Sequence, residues 1–183
     1  MALQRTVTQM KKWKLTPFQL TAELLALLAV AGTAVYLGVV WAGLPEQIPS
    51  HFGTDGTPDA FSGKPMLLLF FFLSLGLYLA FTVVSLLPRS WHLPVPVSEK
   101  NRPALYSLTR TLIVSMKLIS TVAFGWVIFT TANSRRIGIL FILLLLAALI
   151  CSVGAYFVRS FRISLADARE LIQQDMEDGP KGG

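Results

Sequence analysis

The chain has 183 residues, of which 54% are hydrophobic and only 14% charged, and it carries a net charge of +6 at pH 7. So few charges cannot coat a soluble globule of this size, which excludes an ordinary water-soluble domain. The basic excess reads as membrane topology and contact with anionic lipid, and nucleic-acid binding is not needed to explain it.

Residues 1–19 form a basic N-terminal segment with Arg5, Lys11, Lys12 and Lys14. The first apolar stretch follows at about 20–41, long enough for the ~20 residues of a bilayer span. It exceeds the ~7–15 residues of a signal-peptide core and is read as a retained span. Ala29, Ala31, Gly32, Ala34 and Gly38 give it a small-residue face suited to close helix packing. A polar loop at 42–65 leads to a second span at about 66–87 that includes Ser74 and Gly76.

The next loop, 88–110, carries Pro88, Pro94 and Pro96 and is expected to be irregular in its first part. Pro103 suits the first turn of a helix running through Tyr106 and Arg110 into the third span, about 111–131. "ANSRR" then makes a tight connection to the fourth span, about 137–157. That span holds the lone Cys151, expected to be a buried structural thiol with no disulfide partner in the chain. Residues 158–183 form an amphipathic tail. Ser164 is the expected N-cap of a short helix, with Asp167 reaching back and Leu165, Ala168, Leu171, Ile172 and Met176 on one face. That face is expected to pack on the bundle or lie on lipid, with a partner as the alternative.

Backbone groups in hydrocarbon must be satisfied within their own segment, so all four spans are predicted helices. The fold class is all-α: a polytopic integral membrane protein with four transmembrane helices and a compact extracytoplasmic loop between the first two. An even number of spans puts both termini on one side. With the termini inside, Arg5, Lys11, Lys12, Lys14, Arg89, Lys100, Arg102, Arg110, Arg159, Arg162, Arg169 and Lys181 are cytoplasmic. Only Lys64, Arg135 and Arg136 then lie outside, so the positive-inside rule predicts cytoplasmic termini in the cell membrane. Trp13 and Trp91 fall at the inner interface on this reading, and Trp41 and Trp126 at the outer one.

Glu23 and Lys117 enter the membrane at similar depths, counting ~1.5 Å per residue from the inner ends of their spans. A charge there must snorkel or pair. Three readings stay open: Lys117 snorkelling with Glu23 in the headgroups, an intramembrane Glu23–Lys117 ion pair, or a proton or ion relay.

The loop "LPEQIPSHFGTDGTPDAFSGK" is the polar exception. Pro45 and Pro49 stiffen its approach, with Leu44 and Ile48 free to lie against the bundle. Asp55-Gly56 and Pro58-Asp59 each favour a turn. Phe52 and Phe61 are the expected anchors, and Pro65 starts the second span. Gly56 and Gly63 are too far apart, and Lys64 is followed by Pro65, so no phosphate-binding loop is present. Asp55 and Asp59 do not match calcium-loop spacing. His51, Asp55 and Asp59, with Glu46 as a fourth, have metal-ligand chemistry, but the four-residue spacing of the first three aligns ligands only on a helix, which Gly53, Gly56 and Pro58 oppose. No metal or cofactor is therefore assigned. His51 is expected to hydrogen-bond within the loop, to Asp55 or Asp59. Histidine also titrates near neutrality, so a pH response of the loop is a further reading. His51 has no visible nucleophile or oxyanion donor beside it, so the chain is read as non-enzymatic.

These residues carry a resemblance. The loop, followed by a span and then "NRPALYSLTRTLIVSMKLI", resembles the four-helix domain of unknown function that opens SdpI-type bacterial proteins. The matching positions are Leu44, Pro45, Ile48, Pro49, His51, Phe52, Gly56, Pro58, Asp59, Phe61 and Lys64, within a resemblance covering about residues 20–130. Gly53 stands where the family often has asparagine. SdpI-type proteins continue into further helices, so the 183 residues are expected to correspond to the shared domain. The resemblance implies a bacterial inner-membrane protein of immunity and signalling type.

Two functional readings follow. One is a sensor or immunity-type binding protein whose outer loop meets an extracytoplasmic peptide ligand and whose basic inner face meets a cytoplasmic regulator. His51, Phe52, Asp55, Asp59, Phe61 and Lys64 are its recognition candidates. The other is an accessory or structural subunit packed against a larger membrane protein such as a transporter.

Overall fold

The computed structural model describes residues 14–53, 57–135 and 138–178. Arg5, Lys11, Lys12, Trp13, Asp55, Gly56, Arg136 and Lys181 lie outside the described residues. Four helices are long and apolar enough to cross a membrane: α1 (Pro17–Val40), α2 (Pro65–Leu86), α3 (Arg102–Ala132) and α4 (Ile139–Asp178). A two-stranded antiparallel hairpin, β1 (Gln47–Phe52) and β2 (Pro58–Gly63), joins α1 to α2. The all-α expectation holds, with this hairpin as the added element.

Helix α1 begins earlier than the apolar stretch because a capping box fixes its start. The Gln19 N–H donates to Thr16 Oγ1 (3.2 Å), the Thr16 N–H donates to Gln19 Oε1 (3.1 Å), and Pro17 occupies the first turn. After a 3₁₀ turn at Trp41–Gly43 the chain enters the hairpin. Residues 88–101 are largely irregular, as their prolines require. Two side chains fold this loop onto the bundle: Trp91 Nε1 donates to the Val84 carbonyl (2.7 Å), and the Trp91 ring lies 5.6 Å from that of Tyr106. Helix α3 then starts with Pro103 in its first turn, as expected. At its other end Ser134 adopts φ +50° while the Arg135 N–H donates to Thr130 O (2.8 Å) and the Ser134 N–H to Thr131 O (3.0 Å). These are the two bonds of a Schellman stop, here with serine in the left-handed position that glycine usually takes.

Helix α4 differs from expectation. It is one continuous helix of 40 residues, and Ser164 sits inside it instead of capping a second helix. No glycine or proline occurs between Ala155 and Asp178, so nothing interrupts the ladder. The extension is tied back at two points. Asn101 Nδ2 donates to Asp167 Oδ2 (3.1 Å), and Lys100 forms an ion pair with Glu170. Leu165, Leu171, Ile172 and Met176 remain exposed.

Helix α3 is the hub of the bundle. It packs against α1, α2 and α4, whereas α1 and α2 meet over a shorter stretch. Because α4 leans mainly on α3, most of its apolar surface faces outward. This explains why Cys151, expected to be buried, is exposed. The small residues of α1 are also corrected. Ala31, Gly32, Ala34 and Gly38 are exposed, and a Cβ on either glycine would meet nothing within 4 Å. The close approach lies elsewhere: a Cβ on Gly125 of α3 would stand 3.0 Å from Thr33 Oγ1 of α1.

Candidate functional site

Two groups of candidate residues come together, at different depths. The first is the hairpin. Ile48 and Pro49 are fully buried, and Ile48 joins Leu37, Leu44, Leu67 and Ile128 in one apolar cluster drawn from α1, the loop, α2 and α3. This is where a segment that looks polar in sequence gains its anchorage. Phe61, expected to serve as an anchor, is instead 61% exposed, and Phe52 is half-buried. The exchange follows from which strand lies on the bundle: β1 buries the adjacent Ile48 and Pro49, and β2 is left largely open on the outer side.

The base of the hairpin is clamped by Lys64. Its Nζ donates to Glu46 Oε1 (2.8 Å) and lies 5.7 Å from the Trp41 ring centroid, while its backbone N–H donates to Glu46 O (3.1 Å). Glu46 is thereby paired with a cation. At the turn end the Gly53 N–H donates to Thr57 O (2.8 Å).

The register is irregular between. Pro49 pairs with Phe61 and His51 with Ala60, then Phe52 with Pro58, so Ser50 and Asp59 each fall outside the alternating pairs. Continued without a break from Pro49–Phe61, the ladder would set His51 directly opposite Asp59; the irregularity pairs His51 with Ala60 instead. Asp59 still lies next along β2, and its carboxylate reaches the ring: Nδ1 and Oδ1 stand 2.5 Å apart. Both side chains are open, at 69% and 51% exposure. The imidazole and carboxylate, with the exposed Phe61 two residues further along β2, offer groups able to hydrogen-bond a polar group and cover an apolar one. Of the two aspartates considered for His51, Asp59 is the partner the described residues provide.

The second group is intramembrane. Lys117 Nζ donates to Glu23 Oε2 at 2.5 Å, and the same ammonium lies 5.0 Å from the Tyr78 ring centroid. Lys117 is 0% exposed and Glu23 23%. Of the three readings, the ion pair is the one the structure adopts. It also joins three helices, because Tyr78 adds α2 to the α1–α3 contact.

The pair belongs to a series of polar stitches between α1 and α3, which run in the same direction as alternate spans must. Gln19 Nε2 donates to Thr111 Oγ1 (2.9 Å) and Ser107 O (3.0 Å) near the start of both helices. Near their ends, Asn133 Nδ2 donates to Tyr36 Oη (2.6 Å). Sequence reasoning missed Gln19, Tyr78, Tyr36 and Asn133. Gln19 carried a signal, since it stands four residues before Glu23 and therefore on the same face of α1.

With this geometry in view, the comparisons with known proteins are coarse. Residues 28–76, from mid-α1 through the hairpin into α2, match the family described as a domain of unknown function, DUF1648. An uncharacterised protein of Archaeoglobus fulgidus is 25% identical over 164 residues, covering 80% of this chain and 90% of that protein. No solved structure matches the chain. The matched segment contains the whole hairpin together with the adjoining parts of α1 and α2. The chain is a multi-pass membrane protein of helical fold with lipid-facing spans.

Proposed function

We propose that this is a non-enzymatic, SdpI-type protein of the cell membrane, with both termini cytoplasmic, whose hairpin is a recognition element for an extracytoplasmic ligand. The observation that carries this reading is the division of the hairpin into a buried inner side and an open outer side. Ile48 and Pro49 are held in the bundle, while His51, Asp59 and Phe61 are exposed on the same short element. A loop needed only to connect two spans requires no such anchorage, and loops fixed on a scaffold are where binding residues concentrate. A peptide offers hydrogen-bonding groups and apolar side chains of the kind this surface could meet. A cytoplasmic regulator on the basic face would complete a sensor or immunity role.

The test uses the full chain in its own membrane, with a photo-crosslinking amino acid in place of Phe61 or, as a lipid-facing control, of Leu69. A discrete adduct at position 61, lost in H51A and D59A at unchanged protein abundance, supports recognition. Equal adducts at both positions, or none at 61, would overturn it. Orientation is tested separately in a C151A background. Ala60→Cys should react with an impermeant maleimide in intact cells, and Ala166→Cys only after permeabilisation.

One observation favours a second reading, that of an accessory subunit. Ala34 and Gly38 form a small-x-x-x-small pair on the outward face of α1, the geometry that lets another helix approach closely. Co-purification of a defined membrane partner, abolished by G38L, would support it.

A further inference from the structure

We propose that the cleft between α3 and α4 is a seat for one anionic phospholipid. The head end of the cleft is a recess of about 390 Å³ lined by Ser107, Thr111, Arg159 and Arg162. Among the described residues neither arginine forms an ion pair, and Thr111 is held in place by Gln19. A second recess, about 240 Å³, shares Leu108, Thr111 and Arg159 with the first and continues along Ser152 and Ala155. A third, about 640 Å³ and strongly apolar, opens one helical turn further on, at Leu118 of α3 and Ala148 of α4, with Leu25 and Leu28 of α1 as its far wall.

The chemistry changes along this line as a phospholipid does. Two guanidiniums and the Ser107 hydroxyl suit a phosphodiester, since arginine binds phosphate through paired N–H donors; Thr111 already donates to the Ser107 carbonyl and serves as a wall. From Arg159 to Ala148 the helix advances about 16 Å. That is close to half of a ~30 Å hydrocarbon core, the depth that one acyl chain reaches. The cleft exists because α4 leans on α3 without closing against α1, so its floor is protein and its open side is lipid. Basic pockets between membrane helices at this level bind anionic headgroups. The scattered basic residues of the same end, Arg89 and Arg102, have no such recess beneath them among the described cavities.

The experiment is native mass spectrometry of the full-length protein in detergent, with phosphatidylglycerol or phosphatidylcholine added, checked by thermal unfolding of each variant. Wild type should retain one phosphatidylglycerol in preference to phosphatidylcholine. R159A/R162A should reduce that retention roughly tenfold or more, given the attraction each basic residue supplies. R89A/R102A, which removes the same charge elsewhere at this end, should leave it unchanged. A155F, which fills the cleft and keeps both arginines, should also lose the lipid. Equal loss in R89A/R102A would show diffuse attraction and overturn the proposal, as would full retention in A155F. Displacement by equimolar inorganic phosphate would leave no part for the acyl chain and would equally overturn it.

Discussion

The chain builds two acid–base contacts with the same separation, 2.5 Å, in opposite surroundings. His51–Asp59 stands on an open hairpin, while Glu23–Lys117 is enclosed by three helices. Distance alone makes them equal; solvation does not. An exposed pair exchanges one set of water contacts for another and contributes about 0–1 kcal/mol. A buried pair adds little net stability against an apolar substitute, yet removing one partner strands a charge and costs about 3–5 kcal/mol. The buried pair therefore constrains the fold, and the open one is available for other work.

The largest effect that would break this comparison falls on Lys117. E23A leaves a fully enclosed ammonium without its carboxylate and should destabilise by about 3–5 kcal/mol, read as lost thermal stability in detergent and lower membrane abundance. K117M should cost less, because Glu23 lies near the inner end of α1 and is only partly enclosed, so its carboxylate can reach toward the headgroups. The double variant E23Q/K117M should recover much of the loss. Additive losses, with the double variant as destabilised as the two single variants together, would mean that the charges do not interact.

Next comes the hairpin's anchor. I48A empties a site in the apolar cluster and should cost about 2–4 kcal/mol, the range for deleting a buried aliphatic side chain. It should also raise proteolytic cleavage in the hairpin. Smaller still, G125A brings a Cβ to 3.0 Å from Thr33 Oγ1 and should cost about 1–2 kcal/mol, because that hydroxyl, bonded to Ala29 O, must give way. T33A in the same background should restore most of it. At the bottom of the scale, H51A and D59N should each change the unfolding free energy by less than about 1 kcal/mol. A recognition defect in those two variants at normal stability would sharpen the contrast.

What the sequence made legible follows from which forces act locally. Uninterrupted apolar runs dictate lipid-spanning helices, and Pro103 marks its own helix start. The hairpin was readable only as a compact, punctuated loop. Its strands are short and the register is broken twice, so no clean alternation announces β-structure. The roles of Ile48 and Phe61 also depend on which strand faces the bundle, a tertiary fact. Cys151 and the α1 glycines misled for a related reason: in lipid, small or apolar residues are tolerated both inside and outside the bundle, so composition does not say which side they face. Glu23 and Lys117 could be placed at one depth by counting, but only the crossing of α1 with α3 brings them together.

The most direct measurement is a pair of double-mutant cycles by unfolding in one detergent, E23Q with K117M and H51A with D59N. The account predicts a coupling above about 2 kcal/mol for the enclosed pair and below about 1 kcal/mol for the open one. Couplings of equal size, or a larger one on the hairpin, would contradict it.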